Sequence, residues 1–141
     1  MSSHRNDERR VVVTGLGVVS SLGIGWQEFW KNLIAGKSGI SKVSSFDTSE
    51  YDRHYAGEVK NFDPSQFISK HKINKLGRTT QMAIAAAKLA LRDADINLKE
   101  IKNTAISIGT TGGERKLLEM CNAARHEHRA GRNKILFDQE L

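Results

Sequence analysis

The sequence predicts an α/β fold, and three features of its 141 residues carry that expectation. Val11, Val12 and Val13 form an unbroken β-branched run ending at Gly15 and Gly17, which suits a short strand covered on both faces. Two stretches with helical periodicity follow, Trp26–Ile34 and Gly77–Ala94. Beyond them Thr104–Gly109, TAISIG, reads as a second strand. Strands and helices shared along one chain define the class.

Residues 1–10 are polar and charged and read as a frayed arm; residues 11–141 are expected to form the domain. Gly15-Leu16-Gly17-Val18-Val19-Ser20 comes near the glycine fingerprint of a dinucleotide site, which sets a pyrophosphate against a helix N-terminus. Ser20 replaces the third glycine, the next helical pattern starts only near Trp26, and no strand ending in Asp or Glu follows about 20 residues on. These glycines therefore read first as backbone devices that permit close approach.

Trp26, Phe29, Trp30, Leu33 and Ile34 fall at i, i+3, i+4, i+7 and i+8, an amphipathic helix closed by Gly36. Its two tryptophans read as core packing rather than as a ligand box. Gly36–Ile40 is a turn. Ser41–Phe67 reads as an irregular layer with short strands such as Ala56–Val59, pinned by Phe46, Tyr51, Tyr55, Phe62 and Phe67. Pro64 follows Asp63, where a short helix can start. In Gly77–Ala94 one stripe is Met82, Ala86, Leu89 and Ala90, and another is Ala83, Ala87 and Ala94. Alanine favours helix and leaves room for close neighbours, so burial on more than one side is expected. Asp95 and Asn97 lead into a polar link. Gly109-Thr110-Thr111-Gly112-Gly113 is a glycine-rich turn without the Gly-Lys-Ser/Thr ending of a phosphate loop. Glu114–Ala130 reads as a further helix, with Leu117, Leu118, Cys121 and Ala124 towards the core.

Composition narrows the function classes. Cys121 is the single cysteine, so an internal disulfide and a cysteine metal cluster are excluded. It has no activating neighbour on its own face and reads as structural. His126 and His128 are two apart, diverge on a helix and cannot clamp one metal. The 22 Lys and Arg against 16 Asp and Glu give a net charge of +6, which suits an acidic partner. The basic residues are dispersed and aromatics are only 6%, leaving little for stacking bases, so nucleic acid is not the expected partner. No apolar run approaches the ~20 residues that span a bilayer, and no signal peptide is evident. No membrane association is expected, and the expected compartment is the cytoplasm. Lys70, His71, Lys72, Lys75 and Arg78 form a basic cluster, readable as a solvated face or as a landing patch for an acidic protein.

VVVTGLGVVSSLG, then FWKNLIAGKSGI, then SFDTSEYDRHYAGEVKNFDPSQFI resemble, in order and spacing, the opening of a β-ketoacyl-acyl carrier protein synthase. The resemblance runs from Arg9 to about Arg132 and is greatest to the elongating condensing enzymes of fatty acid synthesis and their polyketide relatives. Ser21 departs from it, since most members carry proline there. The resemblance implies a thiolase-like fold of two related α-β-α halves, of which this chain supplies an incomplete first half. A sheet lacking strands would leave an open apolar edge. It also implies acyl transfer to a cysteine at a helix N-terminus, then decarboxylation of a malonyl-carrier thioester and condensation, with two histidines holding the thioester oxygen.

Those three residues are expected beyond Leu141. Cys121, His126 and His128 do not match their motifs, so no catalytic residue, metal ligand or cofactor site is assigned. The implied partners are an acyl carrier protein and a second synthase chain, as a homodimer or paired with a homologue. Lys70, Lys72, Lys75 and Arg78 would then be the carrier patch. Gly109, Thr110, Thr111, Gly112 and Gly113 would lie near the acyl pocket and the dimer interface. There Gly112 would remove a wall that a larger residue supplies in some relatives; the alternative is that these glycines only permit a tight turn. Two function classes stay open. One is an enzyme fragment, truncated before the nucleophile cysteine and inactive by itself. The other is a non-catalytic subunit that binds a carrier protein or a synthase homologue.

Overall fold

The computed structural model describes residues 10–97 and 104–114, and helix α3, Arg78–Asp93, is the longest element among them. Its sequence holds five alanines and no internal glycine or proline, so helix is the low-cost state of the backbone. Ala85 on α3 is fully buried. It forms the core with Phe62, Phe67 and Ile68, and Ile73, Leu76, Met82, Ile84 and Leu89 pack around them half-buried.

The expected double coverage of α3 holds, but on different residues. Ala83 and Ala87 face solvent, whereas the second packed face is Ala86, Ala90 and Ala94, spaced one helical turn apart. The extended ribbon at Gly15 and Gly17 lies directly on them. A Cβ on Gly17 would fall 2.7 Å from the Ala90 nitrogen and against the Ala86 carbonyl; one on Gly15 would fall 2.8 Å from the Ala94 Cβ. Only glycine allows this approach.

The end of α3 then holds two further elements. Asp93 accepts from the Leu16 N–H at 2.9 Å and from the Trp26 indole N–H at 2.5 Å. Between those two points the chain turns back as an antiparallel hairpin, β1 (Val19–Ser20) and β2 (Gly23–Ile24), with Val19 opposite Ile24. The Ser20 hydroxyl donates to the Gly23 carbonyl and accepts from the Leu22 N–H, both at 3.2 Å. Helix α1, Trp26–Ile34, follows at once. Its Glu28 reaches back past the N-cap, Gly25, to accept from the Ile24 N–H at 3.0 Å. Its C-terminus closes as expected at Gly36, whose φ is 65°. There the Gly36 N–H bonds Leu33 O and the Lys37 N–H bonds Asn32 O, both at 3.0 Å, a Schellman motif. Helix α3 ends in the same way with Asp95, φ 53°, in the glycine position: the Ile96 N–H bonds Leu91 O at 3.0 Å.

The middle layer pairs β3 (Ser41–Lys42) with β4 (Tyr55–Ala56), so the strand expected at Ala56–Val59 starts one residue earlier and is shorter. Glu58, just past β4, straps the layer. Its carboxylate accepts from the N–H and hydroxyl of Ser44 at 2.9 and 3.0 Å and from those of Ser45 at 3.0 and 2.5 Å. Asp63 caps a short 3₁₀ turn, Pro64–Gln66, by accepting from the Ser65 N–H, where the Asp-Pro pair places it. Helix α2, Lys70–Ile73, completes the described elements.

Two expected strands are not strands. Val11–Val13 and 104–109 run without ladder partners, and Val11, Val13 and Ile106 are 95%, 81% and 84% exposed. A β-strand exists only where a neighbour takes its backbone N–H and C=O groups, and none of the described residues lies beside either segment as such a neighbour. The α1 stripe is also only half covered. Trp26 and Phe29 are half-buried, while Trp30, Leu33 and Ile34 are exposed. The expected helix Glu114–Ala130, with Cys121, His126 and His128, lies outside the described residues except for Glu114, as do residues 1–9 of the arm. No described helix is long and apolar enough to cross a membrane.

Gly17→Ala should destabilise the fold by about 1–3 kcal/mol, because the added methyl meets helix backbone that cannot swing aside; a urea denaturation midpoint reads the loss. The four hydrogen bonds to Glu58, led by that from the Ser45 hydroxyl, depress its carboxyl from 4.5 to about 2. The stability this adds is complete above pH 4.5 and is lost as pH falls through about 2. Following the Ser45 amide by NMR should show a titration near pH 2 that Glu58→Gln abolishes. A midpoint near 4.5 would refute the strap.

Candidate functional site

The basic cluster sits at the corner between α2 and α3. The chain folds there because apolar and charged residues alternate in helical register. Ile73 and Leu76 turn inward against the core, while Lys70, His71, Lys72 and Lys75 stay exposed. Gln81 fixes the corner, its amide donating to Ile73 O at 3.0 Å and to Leu76 O at 2.8 Å. Lys70 also contributes, after the Ser65 and Gln66 hydrogen bonds, to holding the Asp63 carboxyl below its usual range.

Arg78 differs from the lysines of the cluster. Its guanidinium lies 4.6 Å above the Phe62 ring and its Nη1 donates to Phe62 O at 3.4 Å. Phe62 stacks on Phe67 with centroids 6.2 Å apart, and Arg92 covers Phe67 at 5.5 Å. Lys88 donates to Phe67 O at 2.6 Å. Three cations of α3 are thus engaged in holding the aromatic layer, each ring contact contributing about 0.5–1 kcal/mol at an exposed site. The outward charge of the corner is that of Lys70, Lys72 and Lys75.

The glycine loop comes to the same corner. Residues 109–112 are exposed. Gly113 adopts φ 52°, its N–H donates to the Thr110 hydroxyl at 3.0 Å, and its carbonyl accepts from the Thr79 hydroxyl at 3.1 Å. The next residue, Glu114, accepts from the Thr80 N–H at 2.5 Å. Thr80 is the third residue of α3, and the residue at the helix N-cap, Gly77, has no side chain to offer. Glu114 therefore fills the N-cap role from 34 residues away. Hydrogen bonds from Thr80, side chain foremost, lower its carboxyl below the usual glutamate range. The sequence places Glu114 only at the start of the next helix. The signal for its role was a helix opening on an uncapped glycine.

Two shallow recesses lie away from this corner. One of about 350 Å³ is lined by residues including Phe46, Thr48, His54 and Tyr55 of the middle layer. The other, of about 300 Å³, lies between Trp26, Leu89 and Asp93. Among the described residues no three His, Cys, Asp or Glu side chains come together to hold a metal. The space a pyrophosphate would need over Gly15 and Gly17 is filled by α3.

Residues 8–136 match the family model described as the β-ketoacyl synthase N-terminal domain. The chain belongs to the β-ketoacyl synthase family. It is 36% identical over 115 residues to the 3-oxoacyl-[acyl-carrier-protein] synthase 2 of Synechocystis, covering 80% of this chain and 28% of that protein. Against the enzyme of the same name from Staphylococcus aureus strain COL it is 40% identical over 104 residues, 74% of this chain and 25% of that one. Among solved structures, the ishigamide ketosynthase/chain length factor superposes with a TM-score of 0.75 at 37% identity over 87% of this chain. A type II polyketide ketosynthase in complex with its acyl-carrier protein, bound to the hexaketide, superposes with 0.61 at 29% identity over 94%. In both cases the chain spans 30% of the solved chain. The described part is thus an α/β portion of a ketosynthase fold, matching the N-terminal region of much longer relatives.

Proposed function

We propose that this chain forms the N-terminal part of a 3-oxoacyl-[acyl-carrier-protein] synthase of fatty acid or polyketide synthesis, acting in the cytoplasm. The observation that carries the proposal is the family match over residues 8–136 together with its synthase relatives. In the reaction, an acyl group moves from its carrier thiol to a cysteine thiolate. A malonyl-carrier thioester then loses carbon dioxide, and the resulting carbanion attacks the acyl thioester and expels the cysteine. The cysteine and the two histidines would come from the remainder of a thiolase-like fold, whose first α-β-α half this chain begins. The part assigned to this chain is recognition. Lys70, Lys72 and Lys75 would meet an acidic carrier protein, with Arg78, held over Phe62, at the edge of that patch, and Gly109, Thr110, Thr111, Gly112 and Gly113 would border the acyl pocket and the subunit interface.

A second reading is a non-catalytic subunit paired with a synthase homologue, favoured by the exposed Val11–Val13 and 104–109 segments, which find no ladder partner among the described residues. Native-state mass and a malonyl-carrier condensation assay of the 141-residue chain separate the two. An inactive, aggregating product supports the synthase portion, and an inactive oligomer of defined size supports the binding subunit. Condensation by the chain alone would overturn both.

In a complete condensing enzyme carrying this segment, Lys72→Glu with Lys75→Glu should raise the KM for carrier protein about tenfold with little change in kcat. The effect should shrink as salt screens the exposed charges. Unchanged carrier kinetics would remove the patch. Gly112→Phe should shorten the longest acyl chain accepted, and an unaltered product profile would return the loop to the role of a tight turn.

A further inference from the structure

We propose that Glu114 is a positioning residue that seats the 109–113 loop on the N-terminus of α3, and so sets the acyl-chain selectivity of that loop. The second clause rests on the reading of the loop as an acyl-pocket wall. Three observations converge. The Glu114 carboxylate accepts from the Thr80 N–H, and the adjoining Gly113 carbonyl accepts from the Thr79 hydroxyl. The two bonds run side by side between the same pair of segments, so they fix orientation as well as distance. The third is the void at Gly77: a Cβ there would overlap the Glu114 carboxylate, so the N-cap position is left empty where Glu114 enters. The α-helix N-terminus favours a negative charge, and the hydrogen bonds from Thr80 hold the Glu114 carboxyl below the usual glutamate range. Loop residues 109–112 are otherwise exposed, which makes this seat the principal described restraint on where the loop stands. The corner that carries Lys75 and Arg78 thereby becomes one rigid piece with the loop.

The test separates seating from helix capping. In a complete condensing enzyme carrying this segment, NMR should show a Thr79–Gly113 contact in the native protein and in Glu114→Gln, which keeps an acceptor oxygen. The contact should be lost in Glu114→Ala, with Thr80 amide exchange rising about three- to tenfold. Gly77→Asp supplies a cap of its own while occupying the Glu114 position. It should leave Thr80 protected yet lose the Thr79–Gly113 contact, which shows α3 intact and the loop released. Retention of the contact in both Glu114→Ala and Gly77→Asp overturns the proposal. In a complete condensing enzyme, the same two variants should broaden the acyl chain-length profile and Glu114→Gln should restore it. If Gly112→Phe shifts that profile and the Glu114 variants do not, the positioning role fails while the pocket reading stands. If Gly112→Phe is also without effect, the pocket reading fails and selectivity falls with it.

Discussion

Backbone lies on backbone where Gly15 and Gly17 cross α3, and the absence of two side chains is what makes the arrangement possible. Because the ribbon descends to the level of Ala86 and Ala90, the Leu16 N–H comes within reach of Asp93. Asp93 in turn holds the Trp26 indole, so the start of α1 and the β1–β2 hairpin inherit their place from that contact. Dispersion attraction falls steeply with separation, so a ribbon raised by one methyl would lose much of its packing along with these bonds. The glycine pair thus serves protein against protein, since α3 backbone occupies the space where side chains at Gly15 and Gly17 would go.

The opposite side of α3 solves a different problem, that of keeping two phenylalanines buried in a small layer. Phe62 and Phe67 stack, and Arg78, Lys88 and Arg92 reach over them from one helix. Long cationic side chains cover apolar surface with their stems while their heads stay wet. Part of the +6 net charge is therefore structural. At the α2 corner the outward charge is left to Lys70, Lys72 and Lys75, because Arg78 is engaged on Phe62.

The helix ends show where local chemistry suffices and where it does not. The C-termini of α1 and α3 close on residues within their own turns, Gly36 and Asp95. The N-terminus of α3 opens on Gly77 and is completed by Glu114. A cap borrowed from another segment costs the chain a loop closure but gains a fixed relation between the two parts. On the proposed function, that relation joins the proposed carrier patch to the proposed acyl-pocket loop.

The amino-acid sequence by itself determined the features that depend on neighbours a few residues apart. These are the α1 stripe from Trp26, its stop at Gly36, the Asp63-Pro64 turn, the alanine-rich α3 and the family signature read from Arg9 onward. All are short-range consequences of propensity, capping and periodicity. Tertiary structure decided what needs a distant partner. It placed Gly15 and Gly17 on Ala86 and Ala90, committed Arg78 to Phe62, and brought Glu114 to Thr80. Among the described residues it also left Val11–Val13 and 104–109 without ladders, since β-branched residues favour a strand but only an adjacent strand can make one.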